Sequence, residues 1–279
     1  MSRAKSKRGK PLGASSRRNL LVGVRAVFAW GVRMELIARN PAASVDTPKV
    51  LQREYPEFTA EVLRAIFIAI EQTEFKVLVP FALLTGARRG EVAALRWSDV
   101  DLARGRYSIR RSAAILDGEQ IYKAPKSQRS RRTEALPPSL IVLLEQHRKD
   151  QAKRYDQMRL GLPSKDTMVF DRENGEPWNV NELSRRWSRL VERSKLPAMR
   201  WHDLRHGFAS LSHDAGESLH GISQALGHSS LGITSSTYVH TFDDARRRRA
   251  ERLDAYLTPM SGDKNVRFQE VRIAQTRIE

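Results

Sequence analysis

The chain has no cysteine in its 279 residues, so disulfide staples, thiolate metal sites and cysteine nucleophiles are all excluded. Any covalent chemistry has to use another side chain. Nor is there an apolar run of roughly 18 residues, the length a membrane-spanning helix needs, and the first residues lack the apolar core of a secretory signal. The expectation is a cytoplasmic protein with no membrane partner. Acid is scarce as well: 32 Asp and Glu stand against 49 Lys and Arg, for a formal charge of +17. Such an excess is far more than solubility requires and favours a polyanionic partner, nucleic acid first. No HExxH, no calcium-loop pattern and no carboxylate pair placed as in a two-metal nuclease occurs, so no metal and no cofactor is expected.

What is present is enough for a folded protein, since 40% of the residues are hydrophobic and the length suits one large domain plus a smaller piece. Residues 1 to 18 carry Arg3, Lys5, Lys7, Arg8, Lys10, Arg17 and Arg18 without an acid, which suggests an arm lying on phosphates. Leu20, Val24, Val27, Phe28 and Val32 then recur at helical spacing from Asn19 to Ala38. Three prolines between Pro41 and Pro56 read as a linker, with a domain boundary near residue 55. Beyond it, Thr59 can cap a helix carrying Val62, Leu63, Ile66 and Ile70, and a buried helix from Phe75 to Leu84 stops at Gly86. A short helix restarts over Arg88 to Leu95. Tyr107 to Ile115, Glu119 to Ala124 and Arg132 to Leu136 predict a small three-stranded antiparallel sheet, with Asp117-Gly118 as the first turn. Helices are expected at Ser139 to Gln151, Val180 to Arg193, His202 to His213, Leu219 to Leu226 and Asp243 to Leu257. The fold class is therefore α+β, mostly helical.

Chemistry concentrates in three places. Thr85-Gly86-Ala87-Arg88-Arg89-Gly90-Glu91 puts arginine just after a glycine break at a helix start, and Trp201-His202-Asp203-Leu204-Arg205-His206 aligns an imidazole and a guanidinium on one helical face. Leu226-Gly227-His228-Ser229-Ser230 and Thr237-Tyr238-Val239-His240 then place a third basic donor ten residues ahead of a tyrosine. Tyr238 is the obvious nucleophile candidate in that neighbourhood. Read in isolation, each piece has an ordinary alternative: Arg88 and Glu91 suit a surface ion pair, Tyr238 a half-buried aromatic, and Trp97 and Trp201 core packing.

Taken in order, these motifs resemble the tyrosine recombinases, or phage integrases, over roughly residues 57 to 258. The resemblance implies a tyrosine-recombinase-like catalytic domain at 56–260, preceded by a basic arm, a remnant of a helical core-binding domain and a linker at 1–55, and followed by a tail at 261–279. It also implies that Arg88, Lys126, His202, Arg205, His228 and Tyr238 are catalytic, with Glu91 supporting them. Lys123, Arg129, Arg131 and Arg132 crowd the hairpin of Lys126 and are expected on DNA, as is Arg89. His206 and His240 are expected to be structural. Double-stranded DNA would be the partner, bound by a monomer that assembles into a homotetramer on synapsed sites, with accessory DNA-bending proteins possible. Because only about one helix precedes the boundary, weak binding by the chain alone is expected. Leu253, Tyr256, Leu257 and Met260 form an apolar stripe for assembly, and Val266, Phe268, Val271 and Ile273 an added strand.

The implied chemistry matches the residue types. A phosphodiester repels nucleophiles until its non-bridging oxygens are neutralised, which permanently charged, forked arginines do well. A phenol near pKa 10 needs a base such as His202, and the departing 5′-oxygen needs a proton, which Lys126 would supply. A 3′-phosphotyrosyl link would keep the bond energy for rejoining. The alternatives are a type IB topoisomerase-like activity and a catalytically idle DNA-binding remnant.

Overall fold

A computed structural model describes residues 11–50, 55–124 and 131–227, and the chain divides into two compact units, 1–54 and 55–279. In the first, α1 (Ala14–Arg33) runs five residues earlier at both ends than its hydrophobic pattern suggests. Glu35 at φ 57° turns the chain back, and its neighbour Leu36 donates to the Gly31 carbonyl at 2.9 Å. Leu21 and Gly31 are buried and Val24 and Phe28 half-buried, whereas Leu20, Val27 and Val32 are exposed, so the inward stripe keeps only part of the expected set. The proline-containing stretch that follows is held mainly by Arg25, with Asn40 donating to the Arg25 carbonyl at 3.1 Å. Arg25 donates to the carbonyls of Ala42 at 3.0 Å, Ala43 at 3.3 Å and Val45 at 2.5 Å, and to the Thr47 hydroxyl at 3.2 Å.

The second unit is a mostly helical body with two small antiparallel sheets. Thr59 accepts from the Val62 amide and caps α2 (Ala60–Ile70), as its position predicts. The helix α3 (Leu78–Thr85) is buried at seven of eight positions and closes on Gly86 at φ 61°, a left-handed cap that any side chain would resist. A Cβ there would also meet Phe208 at 2.5 Å and Leu226 at 2.7 Å. The single-turn α4 (Arg89–Val92) follows, then a 3₁₀ turn at Trp97–Asp99.

The expected strand from Tyr107 to Ile115 is broken in two. β1 (Val100–Asp101), β2 (Arg106–Ile109) and β5 (Arg132–Ala135) make one sheet in the order β1-β2-β5, while β3 (Ser112–Leu116) and β4 (Glu119–Lys123) form a separate hairpin. The break falls at Arg110-Arg111, where Arg111 turns to the buried Asp99 carboxylate at 2.8 Å and Arg110 approaches it at 3.8 Å. Asp117 at φ 50° and Gly118 at φ 91° give the tight turn that the sequence predicts between β3 and β4.

Among the described residues three long helices follow, α5 (Pro138–Gln157), α6 (Val180–Arg193) and α7 (Trp201–Asp214), and then the shorter α8 (Leu219–Leu226). Phe75 is the centre of the core, with Trp178, Trp187 and Trp201 ring centroids 5.7 to 6.1 Å away. Trp97 is buried too, donating to Gln151 at 2.7 Å. Both tryptophans of the motifs are thus packing residues. The helix expected at Asp243 to Leu257, the apolar stripe to Met260 and the strand after it lie outside the described residues.

Candidate active site

Arg88 stands at the N-cap of α4, immediately after the Gly86 break, and Glu91 three residues on accepts its backbone amide at 2.8 Å. The same carboxylate accepts the Arg88 guanidinium at 2.8 Å, so α4's first turn orients the arginine from behind. A second guanidinium nitrogen donates to the Gly227 carbonyl at 3.1 Å. Arg205, buried on α7, donates to the Gly86 carbonyl at 2.6 Å and to the Leu226 carbonyl at 2.5 Å. Two arginines distant in sequence therefore converge on the last carbonyls of α8, the negative end of that helix dipole. Gly227, at φ 63°, ends the helix there, one residue before His228.

His202, one turn ahead of Arg205 on α7, shares with Arg88, Arg89, Ser112, Ser184 and Arg200 a cleft of about 850 Å³. Its ring reaches solvent at the cleft wall, but crowding by protein atoms is the chief reason its pKa lies below 6.5, and the charges of Arg205, Arg88 and Arg200 push the same way. It is therefore neutral at neutral pH, with a lone pair free to take a proton. His206, whose ring centroid is 5.2 Å away, is pushed down to about 4 by burial first and by His202 next.

Among the described residues, two phenols of the unit, Tyr107 and Tyr155, are poorly suited to attack. Tyr107 is buried with its hydroxyl 3.5 Å from the Thr85 carbonyl, and burial pushes it up to about 12. Tyr155 is likewise pushed up to about 12, first by burial and then by Asp171. Among the described residues no group of three or more His, Asp or Glu side chains is placed to hold a metal ion.

Of the residues expected to be catalytic, Arg88, His202 and Arg205 come together, and Glu91 lies directly behind Arg88. Lys126, His228 and Tyr238 lie outside the described residues, as do Arg129 and His240. Arg89 lines the cleft with its guanidinium on the Ser184 hydroxyl at 2.6 Å, and partial burial lowers its pKa. Lys123 and Arg131 are exposed on either side of residues 125–130.

Arg132 departs from expectation. Read as a DNA contact because it sits in a run of basic residues, it is buried with only 9% of its surface exposed, and its two terminal nitrogens reach the Glu91 oxygens at 3.4 and 3.0 Å. An inward-facing guanidinium on a buried carboxylate is held by that pair rather than by phosphate.

Two further residues contribute to the site without belonging to the expected catalytic set. Gly90 brings α4 against β3 so closely that a Cβ would lie 2.3 Å from the Ala113 carbonyl oxygen. Arg200, preceding α7, adds a further exposed cation to the cleft, and its amide donates to the buried Asp203 at 2.6 Å. The glycine was visible in Thr85-Gly86-Ala87-Arg88-Arg89-Gly90-Glu91 as a residue lacking a Cβ, but nothing local indicated which strand it faced.

The model of the phage integrase family matches residues 56–245. The ICEBs1 integrase of Bacillus subtilis (strain 168) is 28% identical over 248 residues, covering 88% of this chain and 67% of that protein. A XerC-like tyrosine recombinase of Caldanaerobacter subterraneus subsp. tengcongensis is 28% identical over 250 residues, 83% of this chain and 63% of its own length. The chain spans about two thirds or less of these curated relatives.

Among solved structures, the Tn1549 transposon integrase bound to transposon right-end DNA superposes with a TM-score of 0.73 at 19% identity, over 87% of this chain and 80% of that one. A lambda integrase tetramer on a Holliday junction gives 0.55 at 19% identity, over 78% and 59%. At such identities the structural likeness establishes the fold. Among the described residues no helix is long and apolar enough to cross a membrane.

Proposed function

The chain belongs to the phage integrase family, the tyrosine recombinases, and from that premise we propose that it cleaves and rejoins DNA at specific sites through a covalent tyrosyl intermediate. Arg88 and Arg205 would neutralise the non-bridging oxygens of the scissile phosphate, with His228 as a further donor. The Tyr238 oxygen would attack phosphorus while its proton passes to His202, the P–O5′ bond would break, and the 5′-oxygen would leave with a proton from Lys126. The resulting 3′-phosphotyrosine keeps the energy of the broken bond, so reversal by a 5′-hydroxyl of a second strand restores the diester. The reading calls on no metal or nucleotide at any step.

What supports it most is the convergence of Arg88 and Arg205 on the end of α8, with the neutral His202 on the cleft beside them. Related integrases appear in structures with DNA and as a tetramer on a Holliday junction. By extension, this protein would act in the cytoplasm on duplex DNA as a synaptic homotetramer, with residues 56–260 catalytic, Arg89, Lys123, Arg129 and Arg131 on phosphates, and the segment 261–279 joining protomers. Accessory DNA-bending proteins would fit the same scheme.

The test is covalent capture. Sheared DNA from the cell that carries the gene, incubated with the protein and quenched in detergent, is expected to give protein-linked fragments whose sequences converge on one site. Tyr238→Phe is expected to lose them entirely. If wild-type protein yields no adduct, or Tyr238→Phe yields as much, the recombinase reading fails.

A further inference from the structure

Resting on that reading, one more residue can be assigned a part in the reaction. Glu91 faces two guanidinia, and the two pairs are unlike. The Glu91 and Arg132 side chains are 4% and 5% exposed, whereas the Arg88 side chain is 36% exposed and lines the cleft. Arg132 gives one nitrogen to each carboxylate oxygen, at 3.4 and 3.0 Å, whereas Arg88 gives a single side-chain nitrogen to Glu91 and a second to the Gly227 carbonyl. Were Arg88 the only partner, a buried carboxylate at 2.8 Å would cancel much of its field at the cleft. The cluster of one acid and two arginines instead carries a net single positive charge, and the cleft-facing member is the exposed one.

We propose that Arg132 is a positioning residue for strand cleavage: it takes up the charge of Glu91 from the buried side, so that Glu91 orients Arg88 without neutralising it toward the phosphate. The balance of forces on Glu91 fits this arrangement. Burial drives its carboxyl up, but the Arg132 charge and hydrogen bond, followed by the Arg88 amide and charge, more than reverse the effect and leave it below the usual carboxylate value. Arg132 is itself raised, burial being outweighed by Glu91. Glu91 is thus ionised and answered mainly from behind.

The experiment uses the full chain and the captured site as a nicked duplex, with single-turnover formation of the Tyr238 adduct as readout. Arg132→Met is expected to slow cleavage roughly 100-fold, the scale of losing one preorganised donor, while Arg132→Lys, which keeps charge but not the fork, is slowed about 10-fold. DNA affinity should stay within about threefold, because Arg132 is buried and is not among the residues lining the cleft. A second duplex carries a methylphosphonate in place of the scissile phosphate. Its phosphorus centre has no charge to neutralise, so on it the gap between wild type and either variant should shrink to within about threefold.

Losing one partner of a buried pair is destabilising, so melting is followed for each protein, and the Lys variant carries the comparison if the Met variant does not fold. An equal deficit on both duplexes would mean that Arg132 supports the fold alone, and wild-type rates in both variants would mean that it does nothing; either result overturns the proposal. Absence of any adduct in wild type would instead defeat the recombinase reading, and this inference with it.

Discussion

A histidine held neutral inside a basic site leaves a mark on stability. His206 packs against the Tyr55 ring at 4.0 Å and the His202 ring at 5.2 Å, and in the folded chain it takes a proton only near pH 4, against 6.5 when free. Between those values the unfolded chain binds the extra proton, so stability falls as the solution is acidified through this window and is fully present above it. His202 shifts in the same direction and adds to the slope. His206→Gln is therefore expected to flatten the dependence of unfolding free energy on pH between 6.5 and 4.5 by up to one proton, measured by urea melts at several pH values. An unchanged slope would show that His206 is not held neutral.

At this scale the motifs served well where a residue acts through local spacing. Arg88 and Glu91 share one helical turn, and His202 and Arg205 share another, so their alignment is fixed by backbone geometry alone. The role of Arg132 is not legible in this way, because its partner is 41 positions away. A run of basic side chains looks the same in sequence whether each faces phosphate or a buried carboxylate.

Elements met the same divide between local and distant causes. The turn at Asp117-Gly118, the Thr59 cap and the Gly86 stop are local devices and fall where the sequence puts them. The strand expected over Tyr107 to Ile115 is not one strand, because the buried Asp99 draws Arg110 and Arg111 out of the ladder. Tyr107, Ile109, Ala113 and Ile115 keep one phase on both sides of the break, and the Arg110-Arg111 doublet between them does not by itself reveal that a buried carboxylate at Asp99 interrupts the ladder.

One contact between elements is especially exacting. Gly90 lets α4, and with it Arg88, lie on the β3 backbone, where a methyl group would be 2.3 Å from the Ala113 oxygen and 2.5 Å from the Ser112 hydroxyl. Gly90→Ala must push α4 off β3, which should cost about 1–3 kcal/mol, as overpacking does. Gly23→Ala provides the contrast, since nothing lies within 4 Å of its Cβ and it sits inside α1. There the gain in helix propensity should leave stability equal or up to about 1 kcal/mol higher. Urea unfolding distinguishes the two, and a Gly90→Ala protein as stable as wild type would mean that the α4–β3 approach is looser than described.

For the whole molecule, the dominant property is an excess of 17 positive charges, too large to be accounted for by the few cations at the cleft. Composition announced it, but composition has no address, and it cannot separate arginines that touch DNA from those that hold the protein together. Arg25, for instance, spends its donors on the carbonyls of residues 42 to 45, and Arg186 on Glu74 and Glu182. Counterion release makes the distinction measurable. Each phosphate neutralised steepens the fall of log affinity with log salt concentration by about 0.9 on duplex DNA.

The basic arm can be tested in this way. Residues 2–12 contain Arg3, Lys5, Lys7, Arg8 and Lys10 and no acid, so removing them lowers the formal charge by five, from +17 to +12. If the arm lies along the duplex, its deletion should reduce the magnitude of the salt slope by about 2 to 4, close to one for each phosphate released, and affinity should drop most at low salt. If those five residues are merely solvated, the two titrations will run parallel, and the expectation of an arm on phosphates must be given up.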